Sequence, residues 1–540
     1  MGSARAKLLL AIVLVLALAV RLRGLWFGLP FVYARPDELL IIGTALGFFT
    51  KTLHPGFFDY PGLFLYLVGG VLAVYYAYGR AIGWFTSRAQ FVAGPHDHWQ
   101  AFYVLGRGIS VVCGTLTTLW VYRLGVELFD EAVGLIAAFF LSLAFLHVRD
   151  SHYATTDITM TFFVTCAVLA LVRLHRDRRR AHAWTAAVFA GLAMGTKYNG
   201  VLLAVPMVVV EALHAWPRRG DGRATVRRSY LPLMAAIMLV TFVITSPYVV
   251  LDYPKAIHDL RSLQHSMRAG MTPPGMLSPG WIYHFVFSLR YGLGLPLLAA
   301  SMLGLVLMAW RQPAAALILG SFPATYYVVA GTSANVFVRY MIPILPFLCV
   351  FAAFFVDAAS GALAARVGLR RWMWATALSL VIIEPSAWSV AQFDTILARE
   401  DSRMIAADWV QEHVPRGATI FEGGNMYGHP PLEDRANPKY RLLGYDYRAD
   451  NFIEGNRRFE GEPDWIIVQR SGIPYSHLPP SVATMLDARY TLVQVIRATD
   501  LDEPGNVYDM QDGFYVPYGG FRGVRRPGPN LEIYQRKAAS

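Results

Sequence analysis

Residues 8–40 read LLLAIVLVLALAVRLRGLWFGLPFVYARPDELL, and how this stretch is read decides the kind of protein at hand. Its first thirteen residues are unbroken aliphatics and alanine. A cleaved secretion signal would be followed by a small-residue cleavage site. Here RLRGLWFGLP follows, so the run reads as a retained membrane anchor. Just beyond the anchor stand two acids side by side, Asp37 and Glu38. A carboxylate at the edge of a bilayer is costly unless paired or hydrated, so the pair calls for a reason.

The rest of the chain has the same character. It is 55% hydrophobic, 14% aromatic and 16% charged, with a mean hydropathy of +0.39. That composition sets aside the two or three soluble domains that 540 residues would otherwise suggest. Runs such as AAIMLVTFVIT (235–245) and LPLLAASMLGLVLMAW (295–310) approach the roughly 20 apolar residues of a bilayer span. From Phe393 to Ser540 there are 17 Lys+Arg against 21 Asp+Glu, net −4, whereas the preceding 392 residues hold 31 against 16, net +15. Those positive charges collect in short loops between apolar runs, the positive-inside pattern of a membrane protein and not a nucleic-acid patch. Cys113, Cys166 and Cys349 all lie in apolar runs and form neither a zinc spacing nor a disulfide framework.

Apolar runs fall at 8–26, 61–78, 101–125, 132–147, 157–173, 183–196, 200–214, 231–250, 293–310, 314–331, 340–357 and 372–390. Residues 1–392 therefore form a membrane domain. Residues 393–540 read as a soluble α/β domain: DSRMIAADWVQEHVPRGATIFEGG is an amphipathic helix, a turn and a strand, and PDWIIVQ, YTLVQVI and NLEIYQR are further strands. The fold class expected is a mostly α polytopic membrane protein with about 12–13 transmembrane helices and an extracytoplasmic C-terminal domain. There is no internal repeat and no low-complexity segment.

The basic loops HRDRRR (175–180), PRRGDGRATVRR (217–228) and ARVGLRR (365–371), with Arg5 and Lys7, set the orientation as cytoplasmic. TKYNG (196–200), the loop 251–292, GTSANVFVR (331–339), RDSHYATTD (149–157), RPDELL (35–40) and the C-terminal domain then fall outside. Three runs lie between the two outer acids Asp37 and Asp157, where an even number is required, so either a short additional span is expected within 79–125 or one run is re-entrant; the additional span is preferred.

With that orientation the candidate residues share one side. They are Asp37, Glu38, His54, Asp59 and Tyr60, then Arg149, Asp150, His152 and Asp157, Lys197 and Tyr198, and Arg339 and Tyr340. Each has a plainer reading. Asp37 and Glu38 suit the first turn of an interfacial helix, where acids meet the positive end of the dipole and Pro36 fits. Asp157 reads equally as a helix cap, and Lys197 as a lysine snorkelling to the surface. His258 and His265 read as ordinary loop residues. Acids and cations together at an outer membrane face suit one chemistry in particular. A lipid-linked sugar phosphate presents its anomeric carbon at the interface; Lys and Arg hold the leaving phosphate, and a carboxylate takes the proton of the attacking hydroxyl.

On these residues the chain resembles an integral-membrane glycosyltransferase of the GT-C class, of the protein O-mannosyltransferase/aminoarabinose transferase family (GT39/GT83-like, PMT-type). The resemblance covers roughly 1–360 and extends to the extracytoplasmic tail. It is carried by RPDELL (35–40), FFDYPGLFLYL (57–67), HVRDSHYATTDITMTFF (147–163), GLAMGTKYNGVLLAVP (191–206) and RYMIPILPF (339–347). It implies Asp37 as catalytic base with Glu38 supporting it, Asp157 as the acid at the head of its span, Lys197 as the family's TK lysine, and Arg339 before its Tyr-hydrophobe-Pro pattern. Asp59 stands where aminoarabinose transferases have an acid followed by lysine; that lysine is Tyr60 here. The lumenal sugar-binding repeats of eukaryotic members have no counterpart.

The expected activity is inverting transfer from a polyprenyl-phosphate sugar to a protein, lipid or glycan hydroxyl. Lys197 and Arg339 would be phosphate ligands, and Asp59, Asp157 and His152 would position sugar or acceptor, with Tyr60, Tyr198 and Tyr340 beside them. No cofactor is required, a divalent metal remains compatible with the three acids, and membrane lipids but no nucleic acid are expected as partners. The competing class is a lipid-linked sugar flippase or transporter, which should carry ionisable groups near mid-span and symmetry-related broken helices. A non-catalytic scaffold is the third reading.

Overall fold

In a computed structural model, residues 4–94, 98–215, 229–269, 280–432, 439–474, 476–503, 505–510 and 514–537 are described. The basic loop 217–228 and residues 270–279 of the long loop lie outside them. The chain divides into two units, one of Met1–Leu22 with Leu40–Ala391 and one of Arg23–Leu39 with Gln392–Ser540.

The first unit is helical because its apolar runs must bond their backbone internally where water is absent. Its elements are α1 (Ala4–Leu22), α2 (Pro36–Gly47, shared with the second unit), α3 (Leu63–Ala81), α4 (Arg88–Ala93), α5 (His98–Leu128), α6 (Glu131–Leu143), α7 (Phe145–Asp150) and α8 (Thr156–Asp177). There follow α9 (Arg180–Thr196), α10 (Ala204–Ala215), α11 (Leu231–Thr245), α12 (Pro247–Leu251), α13 (Tyr253–Ala269), α14 (Gly280–Tyr283), α15 (Arg290–Leu293), α16 (Leu295–Arg311), α17 (Pro313–Gly331), α18 (Leu345–Val367) and α19 (Arg371–Leu397, also shared with the second unit). Each apolar run of the sequence falls largely on one or two of these helices. Large apolar side chains such as Val15, Val306, Trp310 and Val381 are exposed, as a lipid-facing surface requires.

Among the described residues seven helical segments are long and apolar enough to cross a membrane, or eight if Gly280–Leu293 and Leu295–Arg311, bent by 113°, form one span. Several of the 12–13 expected spans are shorter: α6 has 13 residues and α11 has 15. Among the described residues of 79–125 the additional span expected there is not formed. The helix found there, α4, has six residues and reaches only about 9 Å.

Packing resolves the parity in another way. Glu127, at the end of α5, pairs with Arg173 at 3.2 Å and with Arg176, both at the end of α8. Arg178 then pairs with Glu211 of α10 at 2.6 Å and stacks 4.8 Å from the Tyr230 ring before α11. One face therefore collects these basic ends. On the opposite face Gly62, before α3, donates its N–H to Ser246 after α11 at 3.0 Å, and Ser246 reaches the Gly195 carbonyl near the end of α9. Near the far end of α3, Tyr75 Oη bonds His98 Nδ1 at the start of α5, 2.7 Å away. Both ends of α3 thus lie on the face opposite the basic one. α3 has the apolarity of a span but does not cross, and the run 61–78 is the one to subtract.

Close helix contacts rest on small residues. A Cβ built on Gly304 of α16 would fall onto the Phe351 carbonyl of α18. Gly304→Val is expected to destabilise the unit by about 1–3 kcal/mol or more, read as a lower melting temperature of the detergent-purified chain. An unchanged melt would show that the two helices separate freely.

The second unit contains α20 (Ser402–His413), α21 (Pro480–Arg489) and β1 (Thr419–Gly423), β2 (Arg441–Asp446), β3 (Asn451–Glu454), β4 (Arg457–Arg458), β5 (Trp465–Arg470), β6 (Tyr490–Ile496) and β7 (Asn530–Arg536). Among the described residues they form one sheet in the order β4-β3-β2-β1-β5-β7-β6, with β1 parallel to β2 and β5 and the other pairs antiparallel. Strand residues alternate between two cores. Ile420, Ile467 and Ile533 pack with Ala406 and Val410 of α20. Phe421, Ile466 and Val468 pack with Val482 and Leu486 of α21. The α/β reading of this region holds, and β2, β3, β4 and α21 add to the strands and helix read from sequence.

His429 follows β1, with Nε2 3.2 Å from the Gly424 carbonyl. Burial pushes its imidazole down to about 4, against the upward pull of that carbonyl. An unfolded histidine titrates near 6.5, so between these values the unfolded chain binds more protons. Stability contributed by neutral His429 is complete above about pH 6.5 and falls toward pH 4, by up to about 1 kcal/mol per pH unit. Hydrogen-exchange pulse labelling against urea should show a lower midpoint for β1 and β5 at pH 5 than at pH 7. His429→Gln should flatten the difference; an equal slope in the variant would assign it to other groups.

Candidate active site

Asp157 lies in the first turn of α8, where a negative charge meets the helix's positive end. Its carboxylate does not cap the helix. It accepts a 2.6 Å hydrogen bond from Lys197 Nζ, with the acid buried and the lysine nearly so. Lys197 is placed by a break in the chain: α9 stops at Thr196, and Lys197 itself is extended (φ −152°, ψ 133°) before a short 3-10 turn. A chain still helical there would carry the ammonium elsewhere. Lys197 Nζ also stands 5.0 Å from the centre of the Tyr340 ring. Tyr340 and Arg339 sit on a 3-10 segment, Val338–Ile344, which contains Pro343. Arg339 is buried, with its guanidinium 4.6 Å over Phe337. Tyr340 Oη donates to Met267 Sδ of α13 at 3.5 Å. Asp157, Lys197 and Tyr340, far apart in sequence, are thus brought into one cluster, and Arg339 precedes Tyr340 on the same segment.

Tyr198 joins this cluster to the loop carrying Asp59, because its hydroxyl donates to the Phe58 carbonyl at 3.0 Å. The Phe58 N–H in turn donates to Asp259 Oδ2 at 3.1 Å, and Lys255 pairs with Asp259 at 3.1 Å. Desolvation, and then the Asp259 charge, raise the Asp59 carboxyl above its usual range against the pull of Lys255. For Asp259 desolvation also acts upward, but hydrogen bonds from Lys255, His258 and the Phe58 amide outweigh it and hold it low. His54 Nε2 lies 3.0 Å from Asp252, and Tyr60 stands edge-on to Phe57. The segment read as a loop from 251 is helical through Ala269, which places His258 and His265 on α13. Lys255, Asp252 and Asp259 were missed from sequence. The Lys-Asp spacing of four on one helix face was the signal available.

His152 lies between α7 and α8. It is fully buried, with Nδ1 3.0 Å from the Val148 carbonyl. Arg149 and Asp150 pair at 3.0 Å within the same buried turn. Arg21, read as the flank of the anchor, is also buried and reaches Ser151 and His147.

Asp37 and Glu38 belong to the second unit. They begin α2, 12 residues long and therefore about 18 Å, too short to cross. Asp37 is half-buried and Glu38 fully buried. The C-terminal domain supplies a neighbour that sequence reading missed: burial, then the Asp37 charge, then Tyr33 push the Tyr427 phenol above its usual range. Among the described residues no group of three or more His, Cys, Asp or Glu side chains is placed to hold a metal ion.

The family model for dolichyl-phosphate-mannose-protein mannosyltransferases matches residues 101–249. ArnT from Cupriavidus metallidurans bound to undecaprenyl phosphate is 16% identical and superposes with a TM-score of 0.54 over 99% of this chain and 98% of that one. The chain has the GT-C fold. An Archaeoglobus fulgidus oligosaccharyltransferase tethered with an acceptor peptide gives 12% identity and a TM-score of 0.50, over 99% of this chain and 89% of that one. On the apo form of that protein (14% identity, TM-score 0.49, 77% of this chain) the match spans 62% of its length. No curated protein matches by sequence. Within the GT-C fold, the family match takes in Asp157, Lys197 and Tyr198, whereas Asp37, Asp59 and Arg339 lie outside it.

Proposed function

We propose that the protein transfers a sugar from a polyprenyl-phosphate carrier to an acceptor hydroxyl, with inversion, at the extracytoplasmic face of a cell membrane. The orientation follows from assigning the basic face to the cytoplasm. The reading is carried by the buried Lys197–Asp157 pair beside Tyr340 on the face opposite the basic one, with Arg339 next to Tyr340 on the same segment. An ammonium fixed by one carboxylate keeps two N–H donors for a phosphate, and Arg339 adds a second, permanent charge. The anomeric C–O bond to phosphate breaks with its electron pair leaving on the phosphate oxygen. The acceptor oxygen forms the new bond, and its proton passes to the Asp37 carboxylate. The leaving phosphate needs no general acid. Asp157, engaged with Lys197, acts by positioning that lysine; Asp59 and His152 remain assigned to sugar or acceptor.

The test is release of polyprenyl phosphate, with sugar gained by an acceptor or by water, when the purified full chain meets a panel of polyprenyl-phosphate sugars. Turnover with at least one donor is expected. Donor movement across liposomes without turnover would replace the reading by a flippase, and binding alone by a scaffold.

A further inference from the structure

The segment Arg23–Leu39 packs with the C-terminal domain as one unit. Its contacts are specific. Phe27 meets Phe514 edge-on at 5.8 Å, and Phe393 packs on the same ring. The Arg35 guanidinium lies 6.0 Å over Phe514, and Arg23 donates to Thr395 at 3.2 Å. The central contact is made by Arg403, 2% exposed, in the first turn of α20. Its Nε and Nη2 donate to the two oxygens of buried Asp401 at 2.8 and 2.5 Å. Nη1 donates to the Tyr427 carbonyl at 2.6 Å. Held flat by three hydrogen bonds, the guanidinium lies 4.7 Å from the centre of the Phe31 ring and 5.6 Å from that of Tyr515.

Asp401 is also the N-cap of α20 and accepts from the Arg403 backbone N–H. One carboxylate therefore sets the helix start and the guanidinium plane together. Desolvation offsets much of the attraction in a buried ion pair, so this one adds little stability, while its hydrogen bonds fix the guanidinium's orientation.

We propose that the Asp401–Arg403 pair is a positioning device for the catalytic loop: through the Phe31 ring it fixes Arg23–Leu39, and with it the direction of Asp37. The proposal rests on the glycosyltransferase reading, and it gives the C-terminal domain a part in turnover without a catalytic group of its own. The Tyr427 turn supports it, because the residue whose carbonyl Arg403 holds is also the one whose phenol feels Asp37. A planar guanidinium suits this task and an ammonium does not, since only the former stacks on a ring while bonding a carboxylate through two N–H groups.

The experiment compares full-length wild type with Phe31→Leu, Arg403→Lys and Asp37→Asn. It reads backbone hydrogen exchange in 23–39 and in β1 and β5, together with kcat and donor KM. Phe31→Leu keeps an apolar side chain and leaves the Asp401–Arg403 pair intact, so the domain should fold. Exchange in 23–39 should rise about tenfold while the strands stay protected. Turnover should fall tenfold or more with donor KM within about twofold, because a misdirected base is lost from the transition state and not from donor binding. Arg403→Lys should move both readouts in the same direction. Unchanged exchange and turnover in both variants would overturn the proposal, as would loss of strand protection together with turnover. If the wild type transfers no sugar, the functional reading fails and the exchange in 23–39 still decides whether the device exists.

Discussion

Asp37→Asn is expected to lower kcat by about 10²–10⁴-fold while leaving donor KM nearly unchanged. The amide keeps the size of the half-buried carboxylate but cannot accept a proton from the attacking hydroxyl. The lost interaction forms only as the acceptor oxygen becomes nucleophilic, so kcat and kcat/KM should fall together. Steady-state transfer with a fixed acceptor, alongside direct donor binding, separates this from a binding defect. Wild-type turnover in the variant would exclude Asp37 as base and turn attention to Asp59, whose carboxyl is already raised by desolvation and by Asp259, and then to Asp157.

The Lys197–Asp157 pair should show a different pattern, in which stability and activity part company. Lys197→Met leaves a carboxylate of 3% side-chain exposure without its 2.6 Å partner, a change that costs about 3–5 kcal/mol in buried pairs. Adding Asp157→Asn removes the stranded charge, so the double variant should recover most of the lost stability; the two sites are in contact and will not be additive. Activity should not recover. If Lys197 holds the leaving phosphate, both the single and the double variant should remain about 10²–10³-fold below wild type. Recovery of turnover in the double variant would make the pair a packing device only. Thermal melts in detergent and sugar-transfer rates on the same preparations give both answers.

Three features separate what was legible in the sequence from what was not. The C-terminal α20 and the strands β1, β5, β6 and β7 could be read in advance because their apolar patterns are local and strong. WIIVQR is buried at five of its six positions, and such a run between turn residues reads as a central strand. The edge strands β3 and β4, four and two residues long, carry too few residues for a period and depend on their neighbour for hydrogen bonds. The status of α3 shows a different limit. Its 19 residues have the composition of a span, and nothing local distinguishes it from one. Only the two ends, at Ser246 and at His98, show that it does not cross.

The same division runs through the site. Sequence alone determined that the chain is a helical membrane protein with a separate α/β domain, because hydropathy and its period are properties of contiguous residues. It also placed Asp37, Asp59, Asp157, Lys197 and Arg339 as candidates, because charges are rare in such a chain and conspicuous wherever they occur. Tertiary structure decided which of them meet. The break at Lys197 brings its ammonium to an acid 40 residues earlier and to a tyrosine ring on another segment. It also decided that RPDEL (35–39) belongs with a domain that begins more than 350 residues later. Partners such as Arg403 and Phe31 carry no mark in the chain, because a cation–π contact depends on where two rigid groups are held in space and not on any spacing between them.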